Sequence, residues 1–206
     1  MVMKSLRWLF IFLPMTICLG LSAQTASGIM DKAAAAARAA KGITGSFTVS
    51  SSGGSFNGTL KASGNKFVFT TPSVSTWYNG KYMWTYNASS HETTLVSPTQ
   101  GEIQESNPLN YLKSYNSQFI PSFSKTKVTG KYVIVLSPKS KRNAVKNVVV
   151  TLNSKSLRPE KFVVAQRSGV STTISVKSLN YTGVVKVSEF EYPKSRYKGV
   201  QIVDLR

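Results

Sequence analysis

Between Ile43 and Val96 the chain is patterned almost wholly in period two, and this constrains its fold more than any other feature. Ile43, Gly45, Phe47 and Val49 alternate with Thr44, Ser46, Thr48 and Ser50. Successive side chains of an extended strand point to opposite faces, so the pattern predicts a strand with one apolar face. Gly53-Gly54 marks a turn, and Phe56, Gly58, Leu60 and Ala62 continue the alternation. Gly64-Asn65 turns again before Phe67-Val68-Phe69, and Pro72-Ser73 separates this run from Val74 to Tyr78. Asn79-Gly80 is the strongest hairpin signal, because both central residues of a type I′ turn require positive φ. Tyr82 to Tyr86 returns from it, Asn87 to Ser90 turns, and Glu92 to Val96 follows. Six consecutive short strands predict an antiparallel meander.

The meander stops at Pro98. A second set of extended segments covers Thr126 to Leu136, Lys146 to Leu152, Pro159 to Gln166 and Thr172 to Tyr181, with a last short strand near Phe190 and Tyr192-Pro193. This gives about ten or eleven strands. Two helices stand out against them. The first holds the alanine run between Asp31 and Ala40, with Ser27 able to cap its start and Gly42 to end it; alanine is the strongest helix former. The second runs from Leu109 to about Tyr115, opened by Ser106-Asn107-Pro108. Its Leu109, Leu112 and Tyr115 fall at i, i+3 and i+6 and form one apolar stripe. Phe119 and Phe123 extend that surface into a loop around Pro121. No internal repeat and no low-complexity linker divides the chain. The fold class is therefore mainly β (α+β), in a single domain over residues 24–206.

The chain opens with Lys4 and Arg7, then an apolar run from Trp8 to Leu21 of 14 residues. A spanning helix needs roughly 20 apolar residues, so the run is short for an anchor and reads as a cleaved signal peptide over residues 1–23. Gly20-Leu21-Ser22 and Leu21-Ser22-Ala23 place cleavage after Ser22 or Ala23. Cys18 is the only cysteine, and the bulky Ile17 before it excludes a lipobox. The exported chain then has no disulfide and no thiol, and must hold together by packing.

The 26 Lys and Arg against 8 Asp and Glu give a net charge of +18, or +16 without Lys4 and Arg7. That favours anionic partners such as lipopolysaccharide, acidic lipid or an acidic protein face. Only Lys139, Lys141 and Arg142 cluster tightly, and no aromatic-plus-basic submotif points to nucleic acid. The acidic residues are sparse. Glu102 and Glu105 sit beside Gln100 and Gln104 in what reads as a solvated loop. His91 is the only histidine and has no second ligand type nearby. No nucleophile motif or phosphate-cradling Gly-rich loop is present. The residues thus imply no enzyme, no catalytic residue, no metal and no cofactor.

The first meander carries an unusual aromatic load: Phe47, Phe56, Phe67, Phe69, Trp77, Tyr78, Tyr82, Trp84 and Tyr86. A filled sandwich or barrel core accounts for it. So does a large sheet that two helices cover only partly and that holds an apolar guest.

Gly58-Thr-Leu-Lys-Ala-Ser-Gly-Asn-Lys-Phe-Val-Phe-Thr-Thr-Pro72 and Trp77-Tyr-Asn-Gly-Lys-Tyr-Met-Trp-Thr-Tyr-Asn87, in that order, resemble the LolA family. Ser97-Pro98, the helix start Asn107-Pro-Leu-Asn-Tyr-Leu112 and Val133-Ile-Val-Leu-Ser-Pro-Lys139 extend the resemblance, which runs from about Gly45 to Asp204. The most specific piece is the hairpin Asn79-Gly80-Lys81-Tyr82-Met83-Trp84-Thr85-Tyr86. The resemblance implies an unclosed antiparallel β-barrel of about eleven strands with helices as a lid. It implies a monomeric periplasmic carrier that takes acylated lipoproteins from an inner-membrane ABC transporter and passes them to an outer-membrane acceptor; the alternatives are a periplasmic domain on the same scaffold that senses lipid or lipoprotein, and a structural β module that binds no lipid. With the strand alternation it assigns Phe47, Val49, Phe56, Leu60, Phe67, Phe69, Trp77, Trp84 and Tyr86 to the lipid-binding cavity. Ala36, Ala40, Leu109, Leu112, Tyr115 and Phe119 fall to the lid. One departure concerns an arginine by which the family's barrel holds its lid. The matching position here is Ser63, with Lys61 and Lys66 nearby, so either Lys66 substitutes or the lid closes by apolar contact.

Overall fold

The computed structural model describes residues 24–206, the side chains of residues 104 and 105 apart. The signal-peptide and Cys18 readings therefore lie outside the described residues. Helix α1 (Ala26–Ala39) comes first. Its cap is Thr25 rather than Ser27: the Thr25 hydroxyl accepts from the Gly28 N–H at 3.0 Å. The helix ends at Ala40, which turns extended before Gly42 is reached.

The first meander consists of β1 (Ile43–Ser51), β2 (Gly54–Ser63), β3 (Lys66–Thr70), β4 (Val74–Tyr78), β5 (Met83–Asn87) and β6 (Glu92–Val96). All six pair antiparallel with their sequence neighbours. The β4–β5 connection differs from the expected two-residue turn. Tyr78 pairs with Met83, so the loop is four residues long, and only Gly80 has positive φ, at 97°. The Asn79 side chain supplies what a second left-handed residue would have, accepting from the N–H groups of Lys81 and Tyr82 at 2.9 and 2.8 Å.

Where the sequence reads as a polar loop, the chain forms α2 (Gln100–Ser106). Thr99 and Glu102 make a reciprocal capping box, which satisfies two helix-start donors in a segment with no apolar period of its own. The second expected helix is split into α3 (Asn110–Lys113) and α4 (Tyr115–Gln118), with a break at Ser114. The segment around Pro121 is not a loop but strand β7 (Phe119–Phe123), and as an edge strand it tolerates the missing proline N–H.

The second meander continues with β8 (Lys131–Pro138), β9 (Val145–Asn153), β10 (Pro159–Gln166) and β11 (Ser171–Asn180). A 3₁₀ turn at Val187–Phe190 stands where a last strand was expected. The strand forms later, as β12 (Gln201–Asp204), and pairs parallel to β6.

The result is one twelve-stranded sheet in the order β12-β6-β5-β4-β3-β2-β1-β11-β10-β9-β8-β7. The long antiparallel pair β1–β11 welds the two meanders at its centre. β12 and β7 lie at opposite ends and do not pair, so the sheet is an unclosed barrel. One buried cluster runs across its concave face, from Phe67 and Phe47 through Ile174, Phe162 and Val150 to Ile134 and Phe119. The cover over this face comes from Ile29, Met30, Ala33, Ala34 and Ala37 of α1 and from Leu109, Tyr111, Leu112 and Tyr115. Among the described residues no helix is long and apolar enough to cross a membrane.

Candidate functional site

Strand pairing fixes which aromatic side chains share a face. Phe47 pairs with Gly58, Leu60 with Phe69, and Phe67 with both Ala62 and Tyr78. Directly paired residues point the same way, so Phe47, Leu60, Phe67, Phe69 and Val49 all belong to the concave face. Phe47 and Phe69 stack there with ring centroids 4.5 Å apart and planes 9° apart. Phe56 is on the same register but at the hairpin end, where it remains 36 % exposed.

Trp77, Trp84 and Tyr86 are elsewhere. Trp77 pairs with Val68, one residue out of phase with Phe67 and Phe69, and Trp84 pairs with Trp77 and Leu95. These side chains form a second cluster with Leu95 and Tyr192 on the convex face. The chain after β11 straps that face. Tyr192 and Tyr197 meet the Trp77 ring edge-on at 5.4 and 5.5 Å. The Thr93 hydroxyl donates to the Tyr192 hydroxyl at 3.0 Å, and Lys61 pairs with Glu189. The three residues expected in the cavity therefore anchor the C-terminal strap.

The cover helices show the same division. Leu109, Leu112, Tyr115 and Phe119 are buried against the concave face, as the i, i+3 spacing requires. Ala40 is half-buried and packs on the cluster. Ala36 is exposed: the buried stripe of α1 passes through Ala33, Ala34 and Ala37, and Ala36 lies on the solvent side.

Polar contacts hold the cover in place. The Tyr115 hydroxyl donates to Asp31 at 2.7 Å, and burial together with that carboxylate raises the phenol above its ordinary pKa. Arg38 donates to the Lys113 carbonyl at 2.6 Å, and Lys113 donates to the Gly64 carbonyl on the β2–β3 turn. The link between cover and barrel thus starts on the cover and ends on the barrel. Ser63 instead donates to the Lys41 carbonyl at 2.8 Å, and among the described residues Lys66 makes no hydrogen bond to the helices. Sequence reasoning missed Lys113, because the resemblance points to a basic side chain on the strand and not on the helix facing it.

Among the described residues the space beneath the cover is largely taken up by the buried cluster. A cavity of about 20 Å³ remains between β1, β10, β11 and the start of α3, lined by Phe47, Leu60, Leu109, Phe162, Ile174 and Val176. It has room for about one water. His91 is exposed at a turn with φ 53°, its Nδ1 3.2 Å from the Tyr86 hydroxyl. Among the described residues no group of three His, Cys, Asp or Glu side chains could hold a metal.

Comparison with known proteins places this geometry. A family model described as outer membrane lipoprotein carrier protein LolA matches residues 18–169. An uncharacterized conserved protein from Thermus thermophilus shares the fold with a TM-score of 0.58 at 12% identity, over 88% of this chain and 99% of that one. The LolA superfamily protein NE2245 from Nitrosomonas europaea gives a TM-score of 0.46 at 12% identity, over 82% and 99% of the two chains. A putative outer membrane lipoprotein-sorting protein domain from Vibrio parahaemolyticus gives 0.46 at 14% identity, over 82% and 97%. No curated protein matches the sequence.

Proposed function

Because the chain belongs to the family of the outer membrane lipoprotein carrier protein LolA, we propose that it carries the acyl chains of lipoproteins through the periplasm, sheltered between its concave sheet face and its cover helices. In this reading residues 1–23 direct export, an inner-membrane ABC transporter loads the protein, and an outer-membrane acceptor unloads it.

The observation that carries the reading is the composition of the cover. The α1 part of the cover over the apolar face of the twelve-stranded sheet has a buried stripe of four alanines, Ile29 and Met30, beside the larger Leu109, Tyr111, Leu112 and Tyr115. Alanine contributes little buried area, so displacing such a helix exposes little of its own surface. Each acyl methylene that replaces it gains about 0.8 kcal/mol. A ligand of ordinary size needs roughly 300 Å³ or more, far above the 20 Å³ present. Loading therefore requires α1 and α3 to move, and Phe47, Val49, Leu60, Phe67 and Phe69 become the lining.

The test is binding of a fluorescent fatty acid by the purified protein, followed by competition with a triacylated lipopeptide. Saturable binding that the lipopeptide displaces is expected. Absence of any binding would overturn the carrier reading, and binding that free fatty acid alone displaces would reduce it to a general lipid binder.

A further inference from the structure

Beside α3 lies a second space of about 450 Å³, whose lining combines the apolar Ile103 with charged and amide side chains. Arg38 and Lys113 line it together with Asn65, Gln100, Asn110 and Ser114. Among the described side chains neither cation has a carboxylate partner. Each spends one donor on a carbonyl, Arg38 on that of Lys113 and Lys113 on that of Gly64. The remaining guanidinium and ammonium N–H groups are unspent among the described residues. Two cations held side by side at a partly closed site repel each other, and burial followed by the Arg38 charge lowers the Lys113 pKa. A bound anion would offset both penalties.

We propose that this pocket binds a phosphate group, anchored by Arg38 and Lys113. Phosphate matches the donor set: its several acceptor oxygens take a forked guanidinium, an ammonium and amide N–H groups at once. The space also accommodates whatever the phosphate is esterified to. Its wall is shared with the apolar cavity, since Pro108 and Leu109 line the cavity while Asn110, Lys113 and Ser114 line the pocket. A lipid headgroup and free phosphate both present this chemistry. The site does not depend on acyl-chain carriage, and a phosphate can bind whether or not the cover opens.

The experiment titrates inorganic phosphate, and separately monomeric dihexanoylphosphatidylglycerol, into the purified protein at constant ionic strength set with chloride. Binding is read by calorimetry, and the Lys113 ammonium is followed by its carbon-13 pH titration. Saturable binding with an upward move of the Lys113 titration is expected. Arg38→Gln and Lys113→Gln each weaken it at least about tenfold, while Lys155→Gln, which removes an exposed charge elsewhere, leaves it unchanged. Asn65→Asp places a carboxylate in the pocket without removing either carbonyl hydrogen bond; it abolishes binding and serves if the Lys113 variant misfolds. Lipid binding at least about tenfold tighter than phosphate identifies a headgroup site, and equal affinities identify a free-phosphate site. No saturable binding of either probe, or equal loss with Lys155→Gln, overturns the proposal.

Discussion

Phe47 lies flat over Gly58, its partner on the neighbouring strand. A Cβ at position 58 would stand 2.5 Å from the ring carbons Cε2 and Cζ and 2.7 Å from the Thr70 carbonyl oxygen. The missing side chain is what lets the ring fold across the sheet and stack on Phe69. Gly58→Ala should therefore force the ring out of the stack and destabilise the protein by about 1–3 kcal/mol, the usual cost of overpacking. Denaturant unfolding measures the loss, and Phe47→Leu in the same chain should restore part of it. An unchanged midpoint in Gly58→Ala would show that the ring has room to yield.

The two-faced sheet makes a sharper prediction about where a guest is held. Leu60→Asp puts a charge on the concave face and should abolish binding of a fluorescent fatty acid. Trp77→Ala acts on the convex face. It should cost about 3 kcal/mol of stability by emptying the cluster under Tyr192, yet leave the probe affinity within twofold. Loss of probe binding in a folded Trp77→Ala variant would mean that the guest sits on the convex side of the sheet instead.

These faces show what was legible in the sequence and what was not. Alternation within each run found the strands, and β10 falls on the expected Pro159–Gln166 span. Alternation also fixes which residues of one strand share a face. It does not say how the next strand is phased, because a shift of one residue exchanges the faces. Phe67 and Trp77 are both aromatic, but Trp77 pairs with Val68 and so points the other way. Tyr192 and Tyr197, outside every strong strand pattern, were the available signal that the convex face also needed covering. The short helices were least legible. Capping at Thr99 and the break at Ser114 are set by local hydrogen bonds that leave no apolar period behind.

Tyr181 offers a gain in stability. Its hydroxyl is buried and, among the described residues, lacks a hydrogen-bond partner, and burial pushes its pKa up to about 12. An unpaired buried donor costs about 1–3 kcal/mol. Tyr181→Phe keeps the ring beneath the Arg158 guanidinium, 5.1 Å from its centroid, and removes the orphan. The variant should be more stable by about 1 kcal/mol in thermal or urea unfolding. A loss of stability would mean that the hydroxyl has a partner in solution.

Acid should release the C-terminal strap before the sheet unfolds. Its ion pair is Lys61 with Glu189, whose carboxyl is held below the usual range first by the Lys61 hydrogen bond and then by the Lys186 backbone N–H. A carboxylate with a depressed folded pKa stabilises the fold above its unfolded value of about 4.3, and that contribution is lost as pH falls through the folded value. Both partners are partly exposed, 49% and 33%, so solvent screens the pair and its worth is below about 1 kcal/mol. That is small against the whole fold but acts on one short turn. Below about pH 4 the strap should loosen, and fluorescence from Trp77 and Trp84 should shift to the red as Tyr192 and Tyr197 move away. Far-UV circular dichroism should stay unchanged over the same range. Glu189→Gln should lack the part of this phase that protonation of Glu189 supplies, while Glu191, which accepts from the Asn79 amide at 3.0 and 3.1 Å, still titrates on the same strap. If tryptophan fluorescence in the wild type instead changes only together with the far-UV signal, the strap and sheet are one cooperative unit and the ion pair is not its acid-labile point.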